Sequence, residues 1–143
     1  MGLLRKFFGL SRLEQTLFLE TSFLFSIIKL ELLLFPSVLV KSHVQNPPQA
    51  RAQPNGATLR QLVWAVIAAG RFVPGGKGCL PQALVAEILL KRHGFPVELK
   101  IGVARAAGRG FQAHAWVENQ GEILVGRAEA PRYKVLLAKE AGE

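Results

Sequence analysis

In 143 residues there is one cysteine, one methionine, one tyrosine and three histidines. A lone cysteine closes no intramolecular disulfide. This excludes a disulfide-framed secreted scaffold and points to a reducing compartment, or to a thiol with a use of its own. One Cys and three scattered His (His43, His93 and His114) do not make a metal-ligand set, and neither a metal nor a cofactor is expected. The net charge of +8 would suit an anionic partner, but the sequence has no basic run of five and no aromatic–basic interleaving. It therefore suggests a solvated surface and no nucleic acid.

The N-terminal MGLLRKFFGLSRLEQ lacks an apolar stretch of signal-peptide length and a small-residue cleavage site, so a cytoplasmic location is expected. It also lacks the Ser or Thr of a myristoylation motif, because Lys6 stands in that place. No hydrophobic run is long and uninterrupted. Leu17 to Val40 is broken by Glu20, Lys29 and Glu31, and Pro36 stops a helix near its end. Its apolar residues Leu17, Phe18, Phe23, Leu24, Ile27, Ile28, Leu30, Leu33 and Leu34 cover more than one face. The expectation is a buried helix packed on two sides, with peripheral membrane contact through the first 35 residues as the lesser alternative.

What is present suffices for one domain: half the chain is hydrophobic, and no internal repeat occurs. Residues 1–42 read as a helical N-terminal part, with helix from about Leu3 to Leu39. Residues 43–57, which begin with HVQNPPQARAQPNG, read as a loop, and 58–143 as a helical and sheet part. Thr58 caps a helix ending near Phe72, before Pro74. The turn GGKG leads to Cys79 and a helix with Pro81 in its first turn and Gly94 as its stop. The period then switches to two. Val97 to Val103, Phe111 to Glu118 and Glu122 to Val125 form a three-strand antiparallel meander, with Asn119, Gln120 and Gly121 as a three-residue hairpin loop. The fold class is α+β.

Two residues bear chemistry. Cys79 opens a helix, where unpaired amides and the helix dipole favour a thiolate; taken alone, a packed, inert thiol is the better explanation. In Gln112-Ala113-His114-Ala115-Trp116-Val117-Glu118, alternation puts Gln112, His114, Trp116 and Glu118 on one face. His114 thus leaves the apolar face and sits beside Trp116. A helix-borne thiol followed by a strand-borne imidazole is the arrangement in which the ring takes the thiol proton and returns it to a leaving group. Trp116 is either core or substrate-cleft wall, and Gln112 either a cleft residue or a solvent-facing edge. His93, at a basic helix end, is expected at the surface.

The ordered blocks CLPQALVAEILLKRHGFPVELKIGV and FQAHAWVENQGEILVG resemble the lasso-peptide biosynthesis B proteins of bacteria, specifically their C-terminal, transglutaminase-like leader-peptidase half in standalone form. The resemblance is close over roughly Ala68 to Leu136. It implies a transglutaminase-like, papain-like cysteine protease fold and a hydrolase that removes the leader from a ribosomally made precursor. Cys79 would be the nucleophile and His114 the general base and acid. Expected partners are the precursor peptide, a separate leader-recognition protein and an ATP-dependent macrolactam synthetase. A transglutaminase-like acyltransferase and a non-catalytic peptide- or partner-binding protein of the same fold stay open.

Similar proteins often complete a triad with an acid on the strand after the histidine strand. Pairing centred on Gln120 sets Gly126 at that position, where no side chain can orient the ring. Glu118 lies too far along the strand, and Glu129 is the weak remaining candidate. A Cys-His dyad, with a backbone carbonyl or water holding the imidazole, is the other possibility.

Overall fold

The computed structural model describes residues 2–45, 56–73, 78–106, 110–126 and 134–138. The helices are α1 (Gly2–Phe8), α2 (Arg12–Leu34), α3 (Pro36–Gln45), α4 (Leu59–Phe72) and α5 (Cys79–Arg92). The strands are β1 (Glu98–Ala106), β2 (Gly110–Asn119), β3 (Glu122–Val125) and β4 (Lys134–Ala138).

Local chemistry sets most boundaries. Ser11 caps α2 by accepting from the Glu14 amide at 3.1 Å, so the N-terminal helical zone is interrupted between Phe8 and Arg12. Gln15 Nε2 donates to the Phe7 carbonyl at 3.0 Å and ties α1 to the start of α2. Pro36 ends α2 and opens α3, since a proline in a first turn needs no partner for the amide it lacks. Helix then runs to Gln45, two residues past the expected start of the loop; the prolines that forbid it lie beyond, at 47 and 48. Thr58 and Gln61 form a capping box on α4. Helix α5 ends in a Schellman motif: the Phe95 amide donates to the Leu90 carbonyl and that of Gly94 to Lys91, with Gly94 at φ +91°.

Helix α5 is the centre of the molecule. Ala83, Leu84, Val85, Ala86, Glu87, Leu89, Leu90 and Lys91 are all buried, as expected of a helix covered on several sides. It packs against α2 and α4, and on the sheet chiefly against β2. Glu87 and Lys91, one turn apart, pair at 3.4 Å inside it, which keeps two buried charges compensated. One continuous core joins Leu17, Leu24, Phe25 and Ile28 of α2 to Leu62 and Val66 of α4, the α5 residues, and Leu99, Ala115, Val117 and Val125 of the sheet.

The sheet is antiparallel with order β3-β2-β1-β4, one strand more than the expected meander. β4 pairs with β1 on the edge away from β3. The β2–β3 hairpin also differs. Its loop has two residues, Gln120 at φ +50° and Gly121 at φ +82°, because positive φ at both central positions matches the strand twist.

Helix α2 has two apolar faces, as expected, but the described residues cover only one. Leu17, Leu24, Phe25 and Ile28 are buried, whereas Phe23 is 66% and Leu33 79% exposed, with Leu19, Ile27, Leu30 and Leu34 also open. The reading of a helix packed on two sides is corrected here. His93 is likewise not at the surface. It is 1% exposed and its Nε2 lies 3.4 Å from Glu20 Oε2, while Arg92 pairs with the other oxygen at 3.2 Å. The carboxylate of α2 draws the end of α5 inward. No helix among the described residues is long and apolar enough to cross a membrane.

Candidate active site

Cys79 is the first residue of α5 and is half-buried. Its N-cap, Gly78, is extended at φ −63° and ψ 146° and offers no side-chain bond to the first-turn amides. These donors therefore face whatever approaches the helix start.

His114 sits in β2, opposite Gly102 of β1. Its Nε2 lies 3.0 Å from the Gly126 carbonyl oxygen. A carbonyl only accepts, so Nε2 carries the hydrogen of this bond. Trp116 stacks on the imidazole, with ring centroids 6.1 Å apart and planes 21° from parallel. The indole is 3% exposed, so what it presents is a wall behind the ring.

Gly126 does not face His114. The register shifts between Val117 and Glu118: Glu118 pairs with Ile123 but Val117 with Val125, leaving Leu124 as the extra residue of a bulge. Continued one residue, this brings Gly126 beside Trp116. There a Cβ would lie 2.8 Å from Trp116 Cβ and 2.9 Å from the Ala115 carbonyl oxygen. At φ +86° with such neighbours, glycine is required. The expected acid position is thus corrected: Gly126 has no carboxylate to give, but its carbonyl bonds to the imidazole.

Glu129 lies outside the described residues. Gln112 pairs with Ala104 through the backbone of β2, and its side chain also lies outside them. Glu118, on the His114 face, is engaged by Lys100 across the strands. Sequence reasoning named a backbone carbonyl as one possible holder of the ring but did not assign it to Gly126; a glycine directly after a strand was the available signal.

The pleat separates two surfaces. Leu99, Ala115, Val117 and Val125 belong to the core that includes α5. Gly102, His114, Lys100 and Trp116 alternate with them in register and so take the other face. Cys79 therefore starts a helix on one side of the sheet, and His114 projects from the other.

The fold is an α+β domain in which a central helix opened by Cys79 packs on an antiparallel sheet that carries His114. The model of the transglutaminase-like superfamily matches residues 24–138, and the chain belongs to that superfamily, which includes cysteine peptidases and acyltransferases. No curated protein and no solved structure matches the chain.

Proposed function

We propose that the protein is a cysteine peptidase that removes the leader from a ribosomally synthesised lasso-peptide precursor. The observation that carries this reading is the bond from His114 Nε2 to the Gly126 carbonyl, which fixes the tautomer a general base needs. The proposed reaction requires the start of α5 and the imidazole, set on opposite sides of the sheet, to come together; Nδ1 then takes the proton of Cys79 Sγ as sulfur attacks the scissile carbonyl carbon. First-turn amides of α5 stabilise the oxyanion. The imidazolium then protonates the departing amine, leaving a thioester that water, deprotonated by His114, hydrolyses. Resolution by an amine in place of water would give a cross-link, as in a transglutaminase. The lasso substrate, the separate leader-recognition protein and the macrolactam synthetase rest on the likeness of the sequence blocks around Cys79 and His114. A cytoplasmic location belongs to the same reading.

The test is to incubate a lasso precursor with the protein and a leader-binding partner and measure the product masses. Cleavage is expected, with Cys79→Ala and His114→Ala each lowering the rate by about a thousandfold or more. A Cys79→Ala variant that still cleaves would end the peptidase reading. The placement of His114 on the sheet face away from α5 favours a second reading, a non-catalytic peptide-binding protein. That reading gains if the native protein binds the precursor without cleaving it and a thiol-directed alkylating reagent leaves Cys79 unlabelled.

A further inference from the structure

Helix α2 carries an apolar stripe that nothing among the described residues covers. At 100° per residue, Leu19, Phe23, Ile27, Leu30, Leu33 and Leu34 fall within an arc of about 120°, centred nearly opposite the buried Leu17, Leu24 and Ile28. The same open surface continues past the helix break, with Phe35 61% and Val38 66% exposed. A run of this length is well beyond the isolated exposed apolar residues of an ordinary surface.

Charge decides what fits it. Arg5, Lys6 and Arg12 stand exposed at one end of α2, and Lys41 is exposed on α3 beyond the other. The acids of these helices are Glu14, Glu20 and Glu31. Only Glu31 is exposed, and Glu20 is engaged by Arg92 and His93. An apolar stripe with cations at both ends matches the interface of an anionic bilayer, where side chains sink to the acyl boundary and cations meet lipid phosphates. A second copy fits less well, because it would bring another +8 chain against the same cations.

We infer that α2 and α3 lie flat on an anionic lipid bilayer, with the Phe23–Leu30–Leu33 stripe inserted and the basic ends on the headgroups, so that the protein is held at a membrane surface without crossing it. This goes beyond the proposed peptidase activity and does not depend on it.

The test is flotation of the full chain with vesicles of phosphatidylcholine containing about one-third phosphatidylglycerol, against phosphatidylcholine alone. Binding is expected on the anionic vesicles only, declining as salt is raised. Phe23→Ser and Leu30→Ser should each weaken it about tenfold, and Arg5→Gln and Lys6→Gln about fivefold each. These sites are exposed, so circular dichroism should stay unchanged. The inference is overturned by failure to float, by equal binding to both vesicle types, or by equal binding of the Phe23→Ser/Leu30→Ser double variant. It is also overturned by a dimer in light scattering that the same substitutions dissolve while vesicles remain bare, a result that assigns the stripe to a second copy.

Discussion

Gly126 shows how a residue without a side chain can govern one that has chemistry. Its positive φ turns the carbonyl to His114 Nε2, and its missing Cβ lets the strand end close on Trp116. Gly126→Ala is therefore expected to destabilise the fold by about 1–3 kcal/mol through backbone strain. The effect should reach the imidazole as well. Long-range nitrogen–proton NMR spectra should show a His114 held as the Nε2–H form in the native protein and a mixture of tautomers in the variant; an unaltered ring would mean that the carbonyl does not hold it. Hairpin arithmetic placed Gly126 opposite His114. It missed because one bulged residue, Leu124, moves every later partner, and nothing in EILV announces a bulge.

Among the elements, α4 and α5 were legible because their signals are local: Thr58 with Gln61, Gly94 after a basic turn, and apolar residues at helical spacing. β1 to β3 were legible from alternation. β4 was not, since Lys134 to Ala138 holds a short apolar run without alternation and becomes a strand only because β1 has an open edge for it. The β1–β2 pair carries a ladder of charge on the His114 face, where Lys100 meets Glu118 across the strands and Glu98 along its own. The hydrogen bond to Glu118, more than the opposing burial, holds the Lys100 ammonium above its ordinary value of 10.5. Raised in the folded state, this group contributes stability in full below 10.5 and loses it as pH rises through the folded value. Lys100→Met should thus lower stability by no more than about 1 kcal/mol, the ladder being partly solvated. Denaturant titrations of the two proteins should converge above 10.5.

At the scale of the molecule, one hydrophobic cluster joins the helical N-terminal part to the sheet, so the two are expected to unfold as one unit. Phe25 of α2 is fully buried in the cluster that also holds Leu84 and Val117, and Glu20 holds the end of α5 from across the core. Phe25→Ala is expected to cost about 3–5 kcal/mol and to lower the whole chain's unfolding midpoint in a single transition. Separate melting of helices and sheet by circular dichroism and Trp fluorescence would show two units instead. The one-domain expectation rests on length and hydrophobic content; which face of α2 meets the core was not legible, because both faces are apolar and only the partners in space distinguish them.

The packing of α2 also sets an order of events in biosynthesis. Its core partners, α4 and α5, come later in the chain, α5 closing at Arg92, 58 residues after Leu34. At the usual pace of translation those residues take about 3–12 s to make. Through that interval the nascent α2 has neither apolar face covered, so the yield of folded protein depends on what shields it as it leaves the ribosome.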